Sequence, residues 1–131
     1  KYYEKEITVD VKCARAYQRL GDLYRSYEMD FEKAVKMLKK ALELDPNHVP
    51  SLLNYGNTLF NMDQLGRAAE QFEMALQIDP EDLTANYNLA LMYEYSNKRQ
   101  LAIDRWKRFL KLKPPAEWKA DASEHLRGLG Q

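Results

Sequence analysis

The sequence has few of the residues that metal and nucleophile chemistry requires. It has one cysteine, Cys13, and two histidines, His48 and His125, in 131 residues. A single cysteine excludes an intramolecular disulfide and a multi-cysteine metal site, and it fits a reducing compartment such as the cytoplasm. The two histidines stand alone in sequence and are expected on the surface. No glycine-rich phosphate loop, zinc-ligand spacing or nucleophile elbow occurs. We therefore predict a non-enzymatic protein with no cofactor and no metal.

The sequence also lacks net charge and long apolar runs. Its 20 basic and 20 acidic residues cancel, which argues against nucleic acid or an anionic membrane as a partner of the whole chain. No run approaches the roughly 18 apolar residues that span a bilayer, so this segment is not expected to insert into a membrane. The chain starts at Lys1 without a charged and then apolar leader. We expect it to be a processed or excised piece. Whether this piece comes from a longer protein is left open.

What the sequence does contain is a repeat with a period of 34 residues. With 45% apolar residues the chain can bury a core. A fixed period of this length indicates one supersecondary unit that is used several times. The positions that keep the step are Pro46, Pro80 and Pro114; Ala34, Ala68 and Ala102; Ala41, Ala75 and Phe109; and Leu38, Phe72 and Trp106.

Three further positions precede each alanine of the period, and the middle one is followed by a small residue. They are Tyr17, Leu20-Gly21 and Tyr24; then Leu52, Tyr55-Gly56 and Leu59; then Asn86, Leu89-Ala90 and Tyr93. Together with the period, this pattern resembles the tetratricopeptide repeat family. The resemblance implies an all-α fold, an α-solenoid of antiparallel helix pairs in a right-handed superhelix. About seven helices are expected, and Gly21 should let the facing helix approach closely.

The repeats predict a single domain over residues 1–131. The first repeat covers about 13–46, the second about 47–80 and the third about 81–114. A stack of repeats leaves its last apolar face open, and an amphipathic helix over about 115–128 is predicted to cap it.

The ends of the helices can be placed from local signals. Asp30, Asn47 and Asp82 are predicted to cap helix N-termini, because their side chains can accept a bond from a free backbone N–H. The first helix should run over about 10–27. Residues 1–8 match no repeat position, and they form either a loose terminus or the frayed end of a preceding helix.

The first repeat is one residue longer than the others. Gly21 and Ala34 are 13 residues apart, whereas Gly56 and Ala68 are 12 apart. Loops accept insertions at low cost. We therefore expect a harmless insertion in the first hairpin loop, around residues 27–29.

The concave surface of the stack is the predicted binding site. In each leading helix, the face one residue beyond the core positions should line it. Large apolar side chains exposed in one concavity indicate a protein partner. We predict a non-enzymatic adaptor or scaffold that binds a peptide or helix of another protein, unless the N-terminal segment of the chain or a flanking helix fills the groove. The predicted groove residues are Gln18, Asp22, Leu53, Asn54, Asn57, Phe60, Tyr87, Asn88, Leu91 and Tyr95.

One activity known in the family is not expected. Some members clamp the terminal carboxylate of chaperone tails with lysine, asparagine and arginine side chains. At the matching positions this sequence retains only Asn54, and it departs from the pattern at Gln18, Asp22, Thr84 and Asn88. The resemblance therefore argues against a chaperone-tail clamp.

Two other functions remain open. The chain is alternatively a structural spacer or self-association module of a larger repeat protein. The third hypothesis is a site for acidic ligands or nucleic acid on the basic stretch over residues 98–113, which is expected to face outward into solvent.

Overall fold

The computed structural model describes residues 12–131, and within that range it is all-α, with seven α-helices and no strand. This confirms the predicted fold class. The prediction for residues 1–8 and the predicted start of the first helix lie outside the described residues. The helices are α1 (Lys12–Leu23), α2 (Phe31–Leu44), α3 (Val49–Asn61), α4 (Leu65–Ile78), α5 (Leu83–Tyr95), α6 (Arg99–Lys111) and α7 (Ala116–Gly128).

The chain divides into two compact units, with the boundary between Gln71 and Phe72 inside α4. In unit 1, α1 packs on α2, α2 packs on α3, and α1 also contacts α3. In unit 2, α5 packs on α6 and α6 packs on α7. Each unit therefore consists of helices that pack against their neighbours in sequence.

The positions of the 34-residue period form the cores of these units. Leu38, Phe72 and Trp106 are completely buried. The three positions that precede the alanine in the first repeat are Tyr17, Leu20 and Tyr24. Tyr17 is buried, whereas Leu20 and Tyr24 are half-buried. The other fully buried positions of the period are Ala34, Ala68, Ala102, Ala41, Ala75 and Phe109.

Two of the three predicted N-caps are confirmed. The side chain of Asp30 accepts a bond from the backbone N–H of Lys33 (3.2 Å), and that of Asp82 accepts one from Ala85 (2.9 Å).

The prediction for Asn47 is wrong, because His48 is the N-cap of α3. A capping side chain bonds the N–H two or three residues later, and Pro50, three residues after Asn47, has no N–H to donate. The Nδ1 atom of His48 instead lies 2.7 Å from the hydroxyl of Ser51. Burial is the main reason that the pKa of His48 is lowered.

The extra residue of the first repeat lies in the helix end and not in the loop. After α1 the chain continues into a π-helical turn, Tyr24–Glu28. The N–H of Asp30 then donates to the carbonyl of Tyr24, six residues back, at 2.9 Å. The equivalent bonds in the later repeats reach back only five residues, from Gln64 to Leu59 (2.9 Å) and from Lys98 to Tyr93 (2.8 Å). The wider turn thus takes up the insertion before the next helix starts.

The residue that ends this turn, Met29, has a left-handed backbone with φ of 52°. Asp63 and Asn97 take the same conformation at the equivalent places, with φ of 62° and 60°. The left-handed region costs most side chains about 1–2 kcal/mol, whereas glycine adopts it freely. The Met29 side chain is 68% exposed, so its loss should cost little packing energy.

We expect Met29→Gly to raise the free energy of unfolding by about 0.5–1 kcal/mol, because it relieves the left-handed backbone. Urea denaturation followed by circular dichroism measures the change. Met29→Ala keeps the Cβ atom and should give no such gain. A lower stability of Met29→Gly than of Met29→Ala would mean that the left-handed backbone costs methionine nothing at this place.

Candidate functional site

The predicted groove residues of unit 1 lie on the leading helices α1 and α3, which contact each other. On α3, Leu52 and Leu59 are 0% and 1% exposed, while Phe60, directly after Leu59, is 38% exposed. The helix thus places large side chains outside the core one residue after buried ones. We call the following residues the unit 1 surface, all of them half-buried except the exposed Phe60: Gln18, Asp22, Leu53, Asn54, Asn57 and Phe60.

A polar network joins the two helices at one end of the unit 1 surface. The Nη2 atom of Arg25 lies 3.0 Å from the carboxylate of Asp22, and Nη1 donates to Asn61 Oδ1 at 3.5 Å. The hydroxyl of Ser26 donates to the same Asp22 oxygen at 3.3 Å. Asp22 is thus paired with a cation only three residues along the chain.

The predicted groove residues of unit 2 lie on α5 and differ among themselves. Tyr95 is 54% exposed, and Asn88 and Leu91 are half-buried. Tyr87 donates a hydrogen bond to the carboxylate of Asp121 on α7. We call the four residues Tyr87, Asn88, Leu91 and Tyr95 the unit 2 surface.

The ring of Tyr87 packs in an aromatic cluster that sequence reasoning missed. Its centroid lies 5.1 Å from that of Trp106, 5.6 Å from that of Phe109 and 5.5 Å from that of Trp118. Burial and the bond to Asp121 raise the pKa of the Tyr87 hydroxyl to about 12. Tyr87 therefore holds α7 against α5 and α6.

His125 belongs to the same cluster. The sequence predicted a surface residue, but its ring packs against an aromatic side chain. Its ring stacks on Trp106 with a centroid distance of 4.7 Å and an angle of 14°. Its Nδ1 atom lies 2.8 Å from Glu94 Oε2, and the indole N–H of Trp106 donates to that same oxygen at 2.6 Å. The spacing of Trp106, Trp118 and His125 in sequence gives no sign of this contact.

One histidine lies beside a serine in the described part of the chain, but the serine is closed to solvent. His48 and Ser51 are within hydrogen-bond distance, as a base and a nucleophile would be, but Ser51 is 0% exposed and no substrate can reach it. Residues 12–131 contain no group of three or more histidine, cysteine or acidic side chains placed to hold a metal ion. Within the same residues, no helix has the length and apolarity to cross a membrane.

Comparison with known proteins gives matches to repeat proteins. A family model described as tetratricopeptide repeat matches residues 28–87. Over 115 residues the chain is 27% identical to human "Protein O-mannosyl-transferase TMTC1", a match that covers 85% of this chain and 13% of that protein. The chain spans only 8% to 13% of the length of the curated relatives it matches.

Solved structures are similar over nearly the whole chain. The crystal structure of MamA protein matches with a TM-score of 0.79 and 29% identity, over 88% of this chain and 61% of that chain. The first TPR of Spaghetti (RPAP3), bound to an HSP90 peptide, matches with a TM-score of 0.83. It is 20% identical, and the match covers 94% of this chain and 97% of that chain.

Proposed function

Because the chain belongs to the tetratricopeptide repeat family, we propose that it is a non-enzymatic adaptor or scaffold that holds a peptide or helix of a partner protein on its leading helices. The observation that supports this most is Phe60. It is 38% exposed directly after a buried leucine, on a helix whose other large side chains are mostly covered. Apolar area that a partner removes from water contributes roughly 25 cal/mol per Å².

Each unit surface has a division of roles in this proposal. On the unit 1 surface, Leu53 and Phe60 are the apolar anchors, and the amides of Asn54 and Asn57 bond the backbone of the peptide. Gln18 and Asp22 supply its polar side. On the unit 2 surface, Leu91 and Tyr95 are the anchors and Asn88 bonds the peptide backbone. Tyr87 contributes through its contact with α7, which fixes the position of α5.

The peptide is proposed to differ from a chaperone tail. The RPAP3 neighbour is bound to an HSP90 peptide, but the clamp residues of such family members are replaced here by Gln18, Asp22, Thr84 and Asn88. A carboxylate at this place would meet the carboxylate of Asp22, which already has its cation in Arg25. We infer that the site takes a segment held by its apolar side chains.

The names of several relatives raise a transferase as another function. They are called Protein O-mannosyl-transferase, but the matches cover at most 13% of those proteins. The region of similarity coincides with helical repeats, and Ser51, which lies within hydrogen-bond distance of His48, is 0% exposed. We therefore propose an interaction module and not the catalytic part of such a protein.

The adaptor function predicts that Phe60→Asp abolishes capture of the partner. A central apolar anchor often contributes about 2 kcal/mol or more, which corresponds to a loss of affinity of roughly thirtyfold or more. Proteins retained from a lysate on immobilised wild type and variant would be quantified by mass spectrometry. The retained protein would then be titrated in pure form against both. Met74→Asp is the matched control, since Met74 is 45% exposed and lies on α4, which is not a leading helix.

The outcome separates the adaptor from the spacer. A protein retained by wild type and Met74→Asp but lost from Phe60→Asp supports the adaptor. Equal retention on all three chains contradicts it. If only the chain itself is retained and sedimentation shows a dimer that depends on concentration, self-association replaces the adaptor as the function.

A further inference from the structure

Helix α6 carries a basic face that belongs to neither leading-helix surface. Arg105, Arg108 and Lys111 are three residues apart, so each is a neighbour of the next on the helix surface, about one turn further along and about 60° around the axis. A cavity of about 410 Å³ is lined by Tyr93, Leu101, Asp104, Arg105 and Arg108. A second cavity of about 200 Å³ is lined by Pro80, Asn86, Arg108, Lys111 and Leu112. Arg108 lines both cavities, so the two adjoin along the helix.

Arg105 is held in place by a buried amide. Its Nη1 atom donates to Asn86 Oδ1 at 3.0 Å, and Asn86 is 1% exposed. The Nδ2 atom of Asn86 donates to the carbonyls of Pro80 (3.1 Å) and Asp82 (2.9 Å), which fixes the orientation of the amide. The Nε atom of Arg105 is buried and has no hydrogen-bond partner in the described part of the chain. The bond to Asn86 therefore holds the guanidinium in a fixed position before any ligand binds.

The cations of this face are not held in ion pairs in the described part of the chain. Within residues 12–131, neither Arg108 nor Lys111 forms an ion pair. Two carboxylates lie near this face without forming an ion pair with it: Asp104 accepts from Gln100 (3.1 Å), and Glu73 accepts from the hydroxyl of Tyr93 (2.6 Å). Burial, followed by the charge of Arg108, lowers the pKa of Arg105. An anion at this place would offset both effects.

The apolar rim of the same face indicates which anion fits. Leu101 is 47% exposed on the rim of the first cavity, and Leu112 lines the second. A nucleic acid backbone is bound through its phosphates and gains little from these leucines. A peptide that carries both carboxylates and an apolar side chain matches cations and leucines together. The face is also less solvated than the sequence predicts, because Arg105 is half-buried.

We propose that the basic face of α6 binds an acidic protein segment, whose carboxylates bond Arg105, Arg108 and Lys111 and whose apolar side chain packs on Leu101. Guanidinium groups bind carboxylates with paired, charge-assisted hydrogen bonds. The site is separate from the unit 1 and unit 2 surfaces, and it does not depend on the peptide proposed for them.

The test measures the binding of a short fluorescent peptide of aspartate, glutamate and leucine, with both termini blocked, to the whole chain by anisotropy. We expect Arg108→Glu and Lys111→Glu each to weaken binding tenfold or more. Lys107→Glu makes the same change of charge on the same helix, but Lys107 is exposed and lines neither cavity, so less than a twofold effect is expected. Circular dichroism of each variant checks that the helices are intact.

Two further probes fix the class of ligand. The same peptide with asparagine and glutamine in place of the acids should not bind. Phe60→Asp should leave binding of the acidic peptide unchanged, so failure of this proposal is distinguishable from failure of the adaptor function. Absence of binding to wild type, or equal losses in Lys107→Glu and Arg108→Glu, would overturn the site. Single-stranded DNA that binds more tightly, with the same loss in Arg108→Glu, would overturn the choice of an acidic protein segment.

Discussion

Trp106→Ala is expected to lower the free energy of unfolding by about 3–5 kcal/mol, since large aromatic side chains deleted from a core cost this much. Trp106 is 0% exposed. Its ring meets Tyr87 edge to face at 5.1 Å, Phe109 at 6.1 Å, and stacks on His125. Alanine would leave a cavity where α5, α6 and α7 meet. The substitution should therefore weaken the packing of α7 on α5 and α6 as well as the core of unit 2.

The hydrogen bond of the indole can be separated from its packing by Trp106→Phe. This change keeps a ring but removes the N–H that donates to Glu94. Glu94 retains His125 as a partner at 2.8 Å, so its carboxylate is not left alone. A smaller loss, about 1–2 kcal/mol, is expected from the missing bond and the smaller ring.

Urea denaturation followed by circular dichroism would measure the total loss in both variants. In Trp106→Ala the remaining tryptophan, Trp118, reports on α7 by fluorescence, because its ring stacks on Phe109 at 6.0 Å. We expect the fluorescence transition of this variant to come at lower urea than that of wild type. A loss below about 1 kcal/mol would contradict the role of the cluster as the core of unit 2.

The period of the sequence predicts the core well, because burial follows it. Ala68 and Phe72 are buried for the same reason as Ala34 and Leu38, namely that the same helix pair is built again 34 residues later. Asp82 could be placed as a cap from its neighbours alone. Burial that recurs in each repeat can thus be predicted from a single sequence.

Features that depend on a single residue's local bonds could not be predicted in this way. A count of residues shows that the first repeat has one more, but it cannot say whether a π turn or a longer loop takes it up. Asn47 is a good capping residue by type, but Pro50 removes one of the two N–H groups it could bond, and His48 is the N-cap instead.

Contacts between elements distant in sequence are the other limit. The stacking of His125 on Trp106 and the bond of Arg105 to Asn86 each join two helices outside any repeated register. One sign was present in the sequence. Asn86 is a polar residue where the earlier repeats have Leu52 and Tyr17, and a buried polar side chain requires partners.

The candidate site could be predicted in part from the sequence. A rotation of about 100° per residue predicts which side of a helix lies outside the core, and Phe60 and Tyr95 do have exposed side chains. What covers them is not determined by the helix itself. The role of the unit surfaces therefore stays a prediction that the binding experiments test.

Gly21→Ala is expected to lower the free energy of unfolding by roughly 1–3 kcal/mol, although alanine favours a helix over glycine by about 1 kcal/mol. A Cβ atom on Gly21 would lie 2.7 Å from Leu38 Cγ and 2.9 Å from Leu38 Cδ2. Leu38 is 0% exposed and cannot move away without disturbing the core. The glycine thus lets α1 approach α2, as predicted from its place in the repeat.

Gly66→Ala is the matched control, since nothing lies within 4 Å of a Cβ atom built there. It also lies in a helix, α4, and we expect it to be neutral or to stabilise by up to about 1 kcal/mol. The contrast between two Gly→Ala changes isolates the close approach from helix propensity. Equal effects of both substitutions on the free energy of unfolding would contradict the close approach.

A double-mutant cycle with Leu38→Ala identifies the partner in the clash. Leu38→Ala alone should cost about 2–5 kcal/mol, because it opens a cavity in unit 1. In that background the methyl group added at position 21 enters space that the leucine has left, so Gly21→Ala should become neutral or stabilising. The coupling between the two positions should then be about 2 kcal/mol, within the range found for residues in contact. Additive effects would mean that the methyl group meets the backbone carbonyl of Ala34, 3.3 Å away, and not the leucine.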